Sequence, residues 1–71
     1  MAGNVYKFIE LVGTSPTSWE DAAKTAVETA AQTLRDLRIA EVIEEDLQLE
    51  GGKVIAYRTK IKISFKYEGK E

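Results

Sequence analysis

Alternating side chains near the end of the chain predict a long β-strand with one buried face. From Val54 to Tyr67, every second residue is apolar or β-branched, and most of the residues between them are basic. The first set consists of Ile55, Tyr57, Thr59, Ile61, Ile63, Phe65 and Tyr67, and the second of Arg58, Lys60, Lys62 and Lys66. Because successive side chains of a strand point to opposite faces, this pattern is typical of a sheet that covers a core on one side.

Two further β-like segments come earlier in the chain. The first, Val5–Val12, places Tyr6, Phe8 and Val12 on one side and Val5, Ile9 and Leu11 on the other. The second starts near Arg38 and has apolar residues at odd positions, with Glu41 and Glu45 interrupting them. The pair Gly51-Gly52 follows, and glycine reaches positive φ at low cost. We therefore predict an antiparallel hairpin that joins the second and third strands.

A single helix is predicted between the first two strands. Its apolar residues recur every three or four positions, at Trp19, Ala22, Ala23, Ala26, Val27, Ala30, Leu34 and Leu37, which predicts a helix of about twenty residues. Two alternative capping boxes are possible at the start of this helix, Thr17 with Glu20 or Ser18 with Asp21. Trp19 is expected to anchor the helix against the sheet.

The three strands and the helix together predict one α+β domain over residues 1–71, with β-α-β-β order and a three-stranded antiparallel sheet under one helix.

The predicted helix is too short to cover the predicted sheet. A strand of the length of Val54–Tyr67 would span about 45 Å, whereas a helix of about twenty residues spans about 30 Å. Much of the helix stripe is alanine, which buries little area per residue. A chain of 71 residues is also expected to be marginally stable on its own. Self-association is therefore predicted, because an open apolar sheet in water is a liability.

Composition excludes several classes of site and partner. The sequence has no cysteine and no histidine, which excludes disulfides, thiolate metal sites and imidazole catalysis, and we expect no enzymatic activity. Twelve acidic and ten basic residues give a net charge of −2, so nucleic acid is not an expected partner. No apolar run is long enough for a membrane span, and no signal peptide is evident at the N-terminus. A cytoplasmic location is expected.

An acidic run along the second strand is the main candidate for chemistry. It consists of Glu41, Glu44, Glu45, Asp46 and Glu50. On a strand, Glu44 and Asp46 would share a face with Cα atoms about 6.5 to 7 Å apart. Calcium takes several hard oxygens, so such a pair would need carbonyls, water or a second subunit to complete its shell. The alternative is a solvated strand edge whose charges oppose aggregation. Arg58 similarly suits either a cross-strand ion pair or contact with an anion.

Taken together, several segments resemble the dodecins, a family of small β-α-β-β proteins that form hollow dodecamers and, in most members, bind flavins. The matching segments are Val5-Tyr6-Lys7, Glu10-Leu11-Val12-Gly13-Thr14-Ser15, Ala31-Gln32-Thr33-Leu34, Ala40-Glu41-Val42, and the last strand with Ile61, Ile63 and Phe65. The resemblance implies a homododecamer that binds a small ligand.

Several positions differ from the flavin-binding members. Those members have a tryptophan that stacks on the flavin where this chain has Ile39, and a glutamine that bonds its polar edge where this chain has Arg58. Many also have an arginine followed by glycine where this chain has Asp46-Leu47. The pocket positions have thus become aliphatic and acidic, which disfavours a planar ring carrying a phosphate.

The chain resembles the calcium dodecins, a branch that lacks the flavin tryptophan, more than the flavin-binding members. The segments that carry this likeness are Gly13 through Glu20, Arg38-Ile39-Ala40 and Ile43-Glu44-Glu45-Asp46. The resemblance implies calcium as ligand, with Glu44 first and Glu45 and Asp46 behind it. The alternative is binding of riboflavin or FMN in a pocket altered at Ile39 and Arg58.

Overall fold

The computed structural model describes residues 3–67 and contains one helix and three strands within them. The elements are β1 (Val5–Ser15), α1 (Trp19–Ala30), β2 (Leu37–Glu50) and β3 (Lys53–Tyr67). The sheet is antiparallel with the order β1-β3-β2, so β3 is central and the other two strands are edges. The predicted α+β class and β-α-β-β order are confirmed. The tail from Glu68 lies outside the described residues.

The alternation along β3 is confirmed where the helix covers it. Thr59, Ile61 and Ile63 are at most 1% exposed, whereas Arg58, on the opposite side of the sheet, is exposed. The helix packs on β3 and β1 and hardly touches β2. The side of the sheet away from α1, here called the outer face, therefore carries the basic residues of β3.

Strand β1 is longer than its apolar pattern predicted. It continues beyond the predicted end at Val12 through Gly13–Ser15, because these residues pair in unbroken register with Tyr57–Thr59 of β3. Ile9 and Leu11 lie opposite Ile63 and Ile61. Residues directly opposite one another share a face, so the predicted division of β1 into two sides is confirmed, and the structure places the odd positions on the helix side.

The predicted single apolar face of β2 is wrong. The pairing with β3 shifts register three times, between Leu37 and Ile39, between Val42 and Glu44, and between Gln48 and Leu49. Each bulge exchanges the faces of the residues that follow it. Ile39 therefore lies opposite Ser64 on the outer face, whereas Leu47 lies opposite Tyr57 on the helix side.

The helix is also shorter than predicted, with 12 residues instead of about twenty. It ends at Ala30, and a turn closed by bonds such as Leu34 N–H to the Ala30 carbonyl reverses the chain. Asp36 then adopts a φ of 59°, in the left-handed region, before β2 begins. Leu34 and Leu37 contact the same core from the turn and from β2, so the helical spacing of apolar residues continued beyond the helix itself.

Ser18 caps the start of the helix, which selects one of the two predicted capping registers. Its hydroxyl accepts a hydrogen bond from the Asp21 amide at 2.9 Å. The Asp21 carboxylate does not close the box but accepts a bond from the buried Ser15 hydroxyl at 2.8 Å. Ser15 Oγ also accepts from the amides of Thr17 and Ser18. This bonding joins the end of β1 to the first turn of α1.

Few apolar side chains of residues 3–67 are buried in one subunit. They are Ala22, Ala26, Ala30, Ile61 and Ile63. At 1.5 Å per residue α1 is about 18 Å long, whereas the long axis of the subunit is 56 Å. The predicted shortage of cover for the sheet is therefore confirmed and is larger than expected. Within residues 3–67, α1 is not long and apolar enough to cross a bilayer.

Gly13 lets the helix lie directly on β1. A Cβ atom added at this position would overlap the Ala22 carbonyl oxygen and would lie 2.9 Å from the Ala26 Cβ. The obstructing groups are helix backbone and a side chain with no freedom to move aside. Only glycine fits here without displacing the helix.

We predict that Gly13→Ala lowers the free energy of unfolding by about 1–3 kcal/mol, since the helix must move off β1 to admit the methyl group. Gly3→Ala is the matched control, because a Cβ at Gly3 meets no atom within 4 Å. Chemical denaturation at a fixed protein concentration measures both. Equal stability of the two variants would show that the helix does not lie this close to β1.

Candidate functional site

Opposite charges face one another across the outer face. Arg58, Lys60 and Lys62 of β3 lie opposite acidic residues of β2 in three successive pairs, Asp46↔Arg58, Glu44↔Lys60 and Glu41↔Lys62, and Glu10 of β1 lies on the other side of Lys62. These seven residues are called the charged ladder. Cross-strand pairs of opposite charge stabilise a sheet modestly. The outer-face members of the acidic run, Glu41, Glu44 and Asp46, are therefore each opposed by a basic residue of β3.

Arg58 and Asp46 form the tightest pair of the ladder. Arg58 Nε donates to Asp46 Oδ1 at 2.7 Å and Arg58 Nη2 donates to Asp46 Oδ2 at 2.9 Å, so both carboxylate oxygens are engaged. The hydrogen bond from Arg58 holds the pKa of Asp46 below its usual range, and the same bond raises the pKa of Arg58. Of the two roles considered for Arg58, the structure shows the cross-strand ion pair.

Trp19 connects this pair to the helix, as expected of an anchor. Its indole Nε1 donates to the Asp46 carbonyl oxygen at 3.0 Å. Its ring meets the Tyr57 ring edge-on, with centroids 5.2 Å apart and planes at 84°. Its own carbonyl oxygen accepts a bond from the Thr59 hydroxyl at 2.9 Å. The first residue of α1 is therefore bound to both strands of the hairpin.

The three predicted calcium ligands do not converge within one chain. Glu44 lies on the outer face, with Oε1 3.9 Å from Lys60 Nζ and a side chain that is 68% exposed. Glu45 pairs with the buried Thr59 and so belongs to the helix side. Asp46 returns to the outer face but is held by Arg58. Among residues 3–67, no group of three or more acidic side chains is placed to hold a metal ion.

A hollow of about 560 Å³ lies elsewhere on the outer face. Its lining residues are Tyr6 and Phe8 of β1, Arg38 and Ile39 of β2, and Ser64 of β3. In the sheet Ser64 stands between Phe8 and Ile39, so a small side chain is flanked by two large apolar ones. The other even positions of β3 from Arg58 to Lys66 are basic and long. The hollow exists because Ser64 interrupts that series.

The two predicted pocket positions lie far apart within one chain. Ile39 lines the hollow opposite Ser64, whereas Arg58 is six residues away along β3, which corresponds to about 20 Å. The other lining residues of the hollow, Tyr6, Phe8, Arg38 and Ser64, were not predicted from the sequence. The sequence signal that could have indicated the hollow was Ser64, the one short side chain among the basic even positions of β3 from Arg58 to Lys66.

The fold of the chain matches that of known proteins. The family model for dodecin matches residues 5–68. The chain belongs to the dodecin family. The family predicted from the sequence segments is thus confirmed.

The proteins that resemble this dodecin include some named calcium dodecins and others named only dodecins. Calcium dodecin of Mycobacterium tuberculosis is 49% identical over 63 residues, covering 89% of each chain. The crystal structure of a calcium dodecin from the same species, described as a calcium-chelating antigen with a novel calcium-binding site, matches with a TM-score of 0.83 and 46% identity over 94% of this chain and 96% of that one. Dodecin from Streptomyces coelicolor matches with a TM-score of 0.90 and 37% identity, covering 99% and 100% of the two chains.

Proposed function

We propose that this dodecin is a non-enzymatic binding and storage protein that works as a homododecamer, with calcium as its favoured ligand. The observation that carries the proposal is the exposed, loosely paired Glu44 carboxylate on a subunit that cannot cover its own sheet. The cytoplasmic location expected from the sequence stays a prediction.

The amount of exposed apolar surface supports assembly. In the described part of the chain, twelve large apolar side chains are at least 39% exposed, namely Val5, Tyr6, Phe8, Val12, Ile39, Val42, Ile43, Leu47, Leu49, Val54, Ile55 and Tyr67. Such a surface is typical of an interaction face rather than of a free monomer. Closed point-group symmetry is the usual way in which identical subunits cover such faces. The number twelve comes from the family.

Glu44 has the properties of a ligand in a shared site. Its carboxylate is a hard oxygen donor of the kind that calcium prefers, and its nearest basic group, Lys60 Nζ, lies too far away for a close hydrogen bond. Calcium takes six to eight oxygens, and one Glu44 supplies at most two. Copies of Glu44 around a symmetry axis would supply the remainder. The likeness to calcium dodecin of M. tuberculosis supports calcium as the cation.

The two other predicted ligands fit this site less well. Glu45 faces the helix side, so it would contribute only to a different site or from another subunit. Asp46 would have to exchange its guanidinium partner for the metal ion. Glu44 is therefore the proposed ligand, and Glu45 and Asp46, which the sequence placed behind it, are disfavoured by their positions in one subunit.

Binding of riboflavin or FMN is the second candidate function, and the hollow at Ile39 favours it. Tyr6, Phe8 and Ile39 provide an apolar surface of the kind that a ring system contacts, and Arg38 provides a cation for a phosphate. Ile39 lacks the aromatic face that the flavin-binding members use at this position. The expected affinity for flavin is accordingly weak.

Sedimentation analysis is expected to show a single assembled species of about 95 kDa, twelve times the 7.9 kDa subunit. The expectation follows from the exposed apolar surface, which an isolated subunit would leave in water. A folded species with the mass of one subunit would contradict both the assembly and the shared site.

Calorimetric titration with calcium should show binding to the unmodified protein that Glu44→Gln weakens by about tenfold or more, because each copy of the site loses its charged ligands. Glu28→Gln, on the helix, removes the same charge elsewhere and should leave the affinity within about twofold. Equal binding by both variants would remove Glu44 from the site, and no heat from the unmodified protein would remove calcium.

For the second candidate, Ile39→Trp should quench riboflavin fluorescence at protein concentrations about tenfold lower than the unmodified chain, since a stacking face is added to the hollow. Leu49→Trp adds an exposed indole on the same strand outside the hollow and should not do so. Equal quenching by the two tryptophan variants would show that the hollow at Ile39 does not hold the flavin.

A further inference from the structure

Trp19, Asp46 and Arg58 form a connected set of contacts that is here called the clasp. We infer that Asp46 acts in this clasp as a positioning residue, which fastens β2 to the start of α1, and does not ligate calcium. The second half of the inference rests on the proposed calcium function. The first half stands without it.

The hydrogen bonds of Asp46 leave it poorly suited to a metal ion. Both carboxylate oxygens accept from Arg58 at 2.7 and 2.9 Å, and the backbone carbonyl accepts from the Trp19 indole at 3.0 Å. All the oxygen atoms of the residue are therefore engaged. A calcium ion at Asp46 would displace the guanidinium and leave two cationic groups close together, which Coulomb repulsion opposes. Glu44 faces no comparable obstacle, since its basic neighbour is 3.9 Å away.

The clasp supplies what the packing of the subunit lacks. The helix hardly touches β2, and all of β2 beyond Leu37 is exposed. Trp19 is the first residue of α1, and it bonds to β2 through Asp46 and to β3 through Thr59. The paired guanidinium holds the Asp46 side chain against β3. Removing the pair should loosen β2 at this end of the helix.

Trp19 is the sole tryptophan of the chain, so its emission reports directly on the clasp. In the absence of calcium, Asp46→Asn and Arg58→Gln should each shift Trp19 emission, increase its quenching by acrylamide and lower the unfolding midpoint by a few degrees. The double variant should lose no more than the larger single loss, because the two residues act as one unit. Glu41→Gln, on the same strand and face but outside the clasp, should change none of these readings.

The calcium measurement separates the clasp from the proposed function. If Asp46 is a clasp residue, Asp46→Asn leaves the calcium dissociation constant of the assembled protein within about twofold, whereas Glu44→Gln weakens it by about tenfold or more. A loss in Asp46→Asn equal to that in Glu44→Gln would overturn the inference. Absence of calcium binding by the unmodified protein would refute the proposed function alone, since emission and unfolding still decide the clasp. Unchanged emission and midpoint in Asp46→Asn would overturn the clasp itself.

Discussion

A twelve-residue helix in a subunit whose long axis is about three times the helix length is the constraint on which the rest of the structure depends. The alanines of the helix pack against Ile61 and Ile63 to form a small core, and many other apolar side chains remain in contact with solvent. Gly13 permits the closest possible approach, which makes small helix residues sufficient for that core. The stability of this dodecin is therefore expected to be inseparable from its association, as in obligate oligomers.

The same imbalance decides where chemistry can occur. Because the outer face is not needed to cover a helix, its residues are free to carry charge, and they do so as a ladder of acidic and basic partners. Within that ladder the pairs differ in tightness. Asp46 is engaged at hydrogen-bond distance, whereas Glu44 has a distant partner and a largely exposed side chain. A carboxylate of this strand is therefore a candidate ligand when it lacks a close basic partner, and the number of carboxylates nearby matters less.

Much of the fold could be predicted from the sequence because alternation and glycine pairs are local signals. The β3 pattern and the turn at Gly51-Gly52, with φ of 58° and 77°, both appear in the structure. The helix end was predicted too late, since Leu34 contacts the core from a turn that preserves helical spacing. The bulges of β2 gave no signal in the apolar pattern, so the face of Ile39 could not be predicted.

The candidate site was less predictable, since it depends on which residues oppose one another across strands. The acidic run was evident in the sequence, but the partner of each carboxylate follows from the register of the hairpin. The hollow was missed for a related reason, because residues from three strands line it. In the structure its floor is one serine hydroxymethyl group. A longer side chain at this one position would narrow the hollow while leaving its walls intact, so the space that the sheet offers there depends on a single residue and not on the course of the backbone.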